Sequence, residues 1–264
     1  NWVWPRHTGD FSFLRAYVGP DGSPAEYGPT NVPYHPRKFL KVAPEGVDEH
    51  DPVFLLGYPG RTFRHRTSQY LSFERSVRLP YVAQLFEWQI SAMEAAGEAD
   101  SGAAIKLAGR IKGLANTAKN YRGKLKGFQH IPLIDRKLEE EAKLLAFINA
   151  DGKRRERFGT VLGDIDGVYR EMRATAARDF TLDFLRSSST LLAAAFTISD
   201  GARELRKPDL ERDGAFMERN LSRTKESLLL SIQNYHEPTD RLFLREMLTR
   251  AAALPESLQM APVR

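Results

Sequence analysis

The sequence predicts a mixed α and β fold, in which a short turn-rich β part precedes a long helical part. Three observations lead there. Nine of the fifteen prolines fall before Arg66. Apolar and polar residues alternate in short runs up to about Thr67, the period of half-buried strands. Beyond that point the apolar spacing changes to the 3.6-residue period of amphipathic helices.

Each element follows from its own pattern. "FSFLRAYVG" (Phe11 to Gly19) and "RKFLKVAP" (Arg37 to Pro44) alternate as strands, and "PVFLLGYPGRTFRHRT" (Pro52 to Thr67) reads as a strand, a Pro-Gly turn and another strand. Turn-rich connections such as "VGPDGSPAEYGPTNVP" separate them, as in an antiparallel sheet or barrel. In the helical part, "YVAQLFEWQISAMEAA" places Val82, Leu85, Phe86, Ile90 and Met93 on one face. "DRKLEEEAKLLAFINAD" does the same with Leu138, Ala142, Leu145 and Ile148. Between them, Ala104 to Phe128 carries an apolar stripe of Leu107, Ile111, Ala115 and Ala118, and Asp100 or Ser101 is placed to cap its first turn. Further helices are expected around Val161 to Arg173, Ala177 to Arg186, Thr190 to Arg206, Ala215 to Tyr235 and Asp240 to Leu254. Their uneven lengths argue for a packed helical domain and against a solenoid.

Composition narrows the chemistry. The 264 residues contain no cysteine, which removes disulfides, thiolate nucleophiles and metal-thiolate sites. The longest apolar run, "TLLAAAFTI" (Thr190 to Ile198), is half the roughly 20 residues of a membrane span and is expected to be a buried helix. A net charge of +5 permits an anionic partner without requiring one. The basic face of the Ala104 to Phe128 segment offers Arg110, Lys112, Lys119, Arg122, Lys124 and Lys126 with Tyr121 as a stacking ring. No nucleic-acid motif accompanies it, acidic residues are abundant elsewhere in the helical part, and a solvated face is the expectation. His7 and Asp10 lack the clustered partners of a metal site. "ADSGAA" (Ala99 to Ala104) has the Asp-Ser-Gly of some serine nucleophiles, but it opens a helix and reads as a cap.

Longer blocks carry a resemblance. "NWVWPRHTGDFSFLRAYV", "NVPYHPRKFLKV", "LLGYPGRTFRHRT" and "LANTAKNYRGKLKGF" together resemble the bacterial dipeptidyl peptidases of serine peptidase family forty-six, of the dipeptidyl aminopeptidase BII type. The resemblance implies part of a chymotrypsin-like double β-barrel over residues 1–66, followed by a large α-helical cap domain over residues 67–264. It implies release of dipeptides from free N-termini by Ser-His-Asp acyl transfer, without cofactor or metal. By residue match Asp10 takes the role of the triad acid, and Asn1, Trp2 and Asn116 hold the α-ammonium of the substrate. The catalytic His and Ser of the family fall outside the matched blocks. With a start at Asn1 rather than at a methionine, this implies a piece of a longer enzyme that is inactive by itself. The family further implies peptide partners, a homodimer of the complete enzyme, no nucleic acid, and a periplasmic or cell-surface location. The alternative is a noncatalytic helical interaction protein of the same descent.

Overall fold

A computed structural model describes residues 13–54 and 63–260. The chain divides into two compact units, residues 1–62 and residues 63–264.

In the described part of the first unit, the ladder is a single antiparallel pair, β1 (Tyr17–Val18) with β2 (Val32–Pro33), in the register Tyr17 to Pro33 and Val18 to Val32. The turn after β1 is held locally. Gly19 N–H donates to the Ser23 carbonyl at 2.9 Å, Asp21 Oδ1 accepts from the Ser23 hydroxyl at 2.7 Å, and Gly22 sits at φ +82°, where a side chain is disfavoured. The strands expected over Arg37 to Pro44 and at Pro52 do not form among the described residues, and of the run from Phe11 to Gly19 the described residues form a strand at Tyr17 and Val18. A strand exists only by pairing, and Pro33, Pro36 and Pro44 each remove a ladder donor. Phe39, Leu40 and Val42, the large apolar residues of that run, are exposed.

The second unit is helical. It runs α1 (Ser68–Phe73), a π-turn (Glu74–Arg78), α2 (Leu79–Ala99), α3 (Ser101–His130), α4 (Leu133–Asn149), α5 (Gly152–Phe158), α6 (Val161–Ser188), α7 (Thr190–Glu204), α8 (Glu218–Gln233) and α9 (Glu237–Ala252), with 3-10 turns at Asp209–Glu211, Gly214–Phe216 and Glu256–Leu258. Capping starts several of these helices. Thr67 caps α1, Asp151 caps α5 and Ser189 caps α7, each accepting from a backbone N–H of the first turn. Glu141 of α4 adds a long-range cap, accepting from Ser68 N–H and the Ser68 hydroxyl at 2.6 Å each.

The core sits where α2, α3 and α9 meet. Met93, Ala103, Leu107 and Phe243 are fully enclosed, and Trp88 packs its edge on the Phe243 ring at 5.4 Å between centroids. A second aromatic group, Phe73, Tyr81, Phe180, Phe184 and Phe86, joins α1 and α2 to α6. No described helix is long and apolar enough to cross a membrane.

Three expectations about helices change. The helices expected around Val161 to Arg173 and Ala177 to Arg186 are one, because the intervening "ATAA" contains no helix breaker. In α7 the apolar run is not buried: Leu191 and Ile198 are 60% and 62% exposed, since α7 packs on α6 and α8 and leaves one side open. On α4 only Ile148 of the expected stripe is buried, while Leu138 is 48% exposed.

Candidate functional site

The site is built on α3, whose local sequence explains its length and its bareness. Asp100 starts it, accepting from Gly102 N–H at 2.8 Å. That agrees with the cap reading of the Asp-Ser-Gly run. Ala103, Leu107 and Ala118 are buried, and Ile111 and Leu114 close on the same core. At the α2–α3 corner the chains approach so closely that a Cβ on Gly97 would lie 3.2 Å from Ala104 Cα. The opposite side of α3 carries Gly109, Gly113, Asn116, Asn120 and Gly123, all exposed, and a Cβ at any of the three glycines would meet nothing within 4 Å. Asn116 therefore presents its amide outward, with no hydrogen bond among the described residues.

A buried polar network holds α3 to the helices behind it. The Arg110 guanidinium donates to the Ser188 carbonyl at 2.6 Å and the Ser187 carbonyl at 3.3 Å, and lies 5.1 Å from the centroid of the Phe243 ring. Gln89 Nε2 on α2 donates to the Ser188 hydroxyl at 2.9 Å. Asp240 on α9 accepts from the Ser189 hydroxyl at 2.7 Å and from Thr190 N–H at 2.5 Å, so the first turn of α7 is capped from another helix. Burial lowers the pKa of Arg110 from its ordinary value, and the nearby Asp240 carboxylate opposes that shift. A cavity of about 480 Å³ opens beside the network, lined by Lys106, Arg110, Thr190, His236, Thr239 and Asp240 among others.

The other end of α3 meets the π-turn. Arg78 lies over the Tyr121 ring at 5.6 Å and 3.4 Å from the buried Glu74 carboxylate. Burial works against the Arg78 charge, but Glu74 and Tyr121 outweigh it and raise its pKa. Arg122 forks onto Glu87 of α2 with bonds of 2.5 and 2.6 Å, which lowers the carboxylate pKa and raises that of the guanidinium. Phe63, Tyr70, Leu71, Leu79, Phe128 and Leu133 surround an apolar cavity of about 280 Å³ next to Glu74.

Of the residues singled out in the sequence, Asn1, Trp2, Asp10 and His7 lie outside the described residues. Asn116 lies within them, on the open face of α3. The six basic residues of this segment separate into two groups. Arg110, Arg122 and Lys124 are engaged, the last over the Phe63 and Tyr121 rings, whereas Lys112, Lys119 and Lys126 are exposed with no carboxylate partner among the described residues. Tyr121 is covered by Arg78 and Lys124, so it is no open stacking ring. Sequence reasoning missed the Gln89, Ser188, Ser189, Asp240 and Arg110 network. Its members are separated by 50 to 99 residues, and the only local sign was the "SSS" break between two helical patterns.

The described residues thus form a helical unit, with Asn116 exposed on its long basic helix, after a turn-rich segment with one β pair. The comparisons give it a family. The chain matches the peptidase S46 family over residues 1–264, and it belongs to that family. It is 34% identical, over 98% of its length, to the Asp/Glu-specific dipeptidyl-peptidase of Shewanella putrefaciens, of which it covers 36%. It is 35% identical, over 71% of its length, to the dipeptidyl-peptidase 7 of Capnocytophaga gingivalis, of which it covers 26%. The chain thus spans about a third of the length of the curated relatives it matches. A crystal structure of Porphyromonas endodontalis DPP11 in complex with the dipeptide Arg-Glu superimposes with a TM-score of 0.65 at 23% identity, over 100% of this chain and 37% of that one. At that identity the likeness speaks for the fold.

Proposed function

We propose that this chain is part of a serine exopeptidase that releases dipeptides from the free N-terminus of peptides. The observation that carries the reading is the match to peptidase S46 along the whole chain, together with relatives named as dipeptidyl-peptidases. In this reading residues 1–66 contribute part of a chymotrypsin-like double β-barrel, and residues 67–264 form a cap that closes over the cleft. The general base His and the nucleophilic Ser belong to parts of the peptidase other than these residues. The Asp10 carboxylate accepts the Nδ1 proton of that His, which fixes the tautomer and stabilises the imidazolium formed when Ser gives up its proton. Asn1 and Asn116 offer amide oxygens to the substrate ammonium, and Trp2 walls the subsite. An amide accepts a charged donor without carrying charge of its own, so the site rewards a free amine and rejects a blocked one. A complete enzyme of this kind acts in the periplasm or at the cell surface as a homodimer.

The test is Asp10→Asn in the complete peptidase. A triad acid replaced by its amide leaves binding in place and lowers kcat by about 10⁴. A loss smaller than about tenfold removes Asp10 from the triad.

A further inference from the structure

We propose that the open face of α3 is an electrostatic docking surface for acidic peptide substrates; this rests on the peptidase reading above and deepens it. The Ser101–His130 helix contains seven basic residues, Lys106, Arg110, Lys112, Lys119, Arg122, Lys124 and Lys126, and no aspartate or glutamate. The other long helices all contain carboxylates. In α6, α7 and α9 several arginines are matched by carboxylates of their own or a neighbouring helix, as in Arg170 with Asp166, Arg186 with Asp200, Arg241 with Glu237 and Arg250 with Glu246. Three cations of α3 are also spent: Arg110 in the buried network, Arg122 on Glu87, and Lys124 over two rings.

Lys106, Lys112, Lys119 and Lys126 remain, exposed and without a carboxylate among the described residues. The helical period sets Lys112, Lys119 and Lys126 on one edge of the Gly109, Gly113, Asn116, Asn120 and Gly123 face. Four like charges along one helix repel each other and favour an anion laid across them. The glycines keep that face low, so an extended backbone can approach between the ammonium groups. If Asn116 receives the N-terminal ammonium, carboxylates further along the same peptide fall within reach of these lysines. A nucleic acid is the less suited polyanion, because Tyr121, the tyrosine of this helix, is already engaged by Arg78 and Lys124.

The experiment uses the complete peptidase and a triple variant, Lys112→Gln, Lys119→Gln and Lys126→Gln. Glutamine is a good helix former at exposed positions, and far-UV circular dichroism checks that the fold is kept. Two peptides share their first two residues and differ in the next four, Glu and Asp in one, Gln and Ser in the other. The wild type at low salt is expected to show kcat/KM about tenfold higher for the acidic peptide, an advantage that collapses at high salt. The variant loses the advantage while its rate on the neutral peptide stays unchanged. Binding of both peptides, labelled at the C-terminus, is measured in parallel by fluorescence anisotropy. An acidic advantage that survives in the variant, or that ignores salt, overturns the proposal. So does tighter binding of a single-stranded oligonucleotide than of the acidic peptide, which would make the partner a nucleic acid. Absence of any cleavage of the neutral peptide by the wild type refutes the peptidase reading instead, and the binding arm still decides the surface.

Discussion

Asp240 caps a helix that begins about fifty residues before it: its carboxylate takes the Thr190 N–H at 2.5 Å and the Ser189 hydroxyl at 2.7 Å. Helix α7 thus depends for its start on α9. The same carboxylate lines one cavity with Arg110 of α3 and supports its charge.

Replacing Asp240 by Ala leaves the buried Ser189 hydroxyl without its acceptor, removes the cap on Thr190 N–H and weakens the compensation of Arg110. Loss of a cap costs about 1 kcal/mol and each unpaired buried group about 1–3 kcal/mol. We expect a loss of about 2–4 kcal/mol in urea unfolding of the chain, with Asp240→Asn milder because its amide oxygen still accepts one bond. A loss below about 0.5 kcal/mol would show that water replaces the carboxylate.

Two glycines should respond in opposite directions. Gly113 sits in the interior of α3 with nothing within 4 Å of an added Cβ, so Gly113→Ala should stabilise the chain by about 0.5–1 kcal/mol through reduced unfolded-state freedom. A Cβ on Gly97 would meet Ala104 Cα at 3.2 Å, a backbone atom that cannot swing aside. Gly97→Ala should destabilise by about 1–3 kcal/mol by forcing α2 and α3 apart. Thermal melts of both variants check this, and equal signs would contradict the corner geometry.

The Glu87–Arg122 pair predicts a small acid-side slope. Its folded-state carboxylate pKa is lowered by the hydrogen bonds from Arg122. The stabilisation is therefore complete above the unfolded value of about 4.3 and is lost as pH falls through the folded one. The side chains are 48% and 42% exposed, so the contribution is at most about 1 kcal/mol. Comparing wild type with Glu87→Gln at pH 7 and pH 3, the difference in stability should shrink at pH 3. A difference that does not change with pH would assign the pair no electrostatic role.

Asn116→Ala in the complete peptidase separates binding from scaffolding. Loss of an acceptor for a charged donor is worth about 1.5–3 kcal/mol, so kcat/KM on free dipeptidyl substrates should fall about 10- to 150-fold. N-acetylated substrates should barely change, because they lack the ammonium. Equal proportional losses on both would make Asn116 a residue of helix packing or cap closure.

Much of the helical unit is legible in the sequence because it depends on short-range rules. The apolar period placed Val82, Leu85 and Met93 inside α2, and the Asp-Ser-Gly run identified Asp100 as the cap of α3. The same rules overreached where pairing decides. The alternation at Arg37 to Pro44 contains a strand pattern, but a strand needs a partner's backbone, and none is supplied among the described residues. The length of the apolar run also made α7 look like a core helix, since such a run does not say how many neighbours will cover it.

By itself, the sequence determined the family, most of the long helices, the cap of α3, and the choice of Asn116 as an amide worth following. Only the tertiary structure decided which charges are free. Arg110, Arg122 and Lys119 look alike in a basic helix, yet one is buried against Ser188, one is forked onto Glu87 and one stands exposed. The reason is range: a cap or an apolar period is set within a turn or two of chain, whereas the partner of an engaged cation arrives from residues 35 to 78 positions away and is known only once the helices are packed.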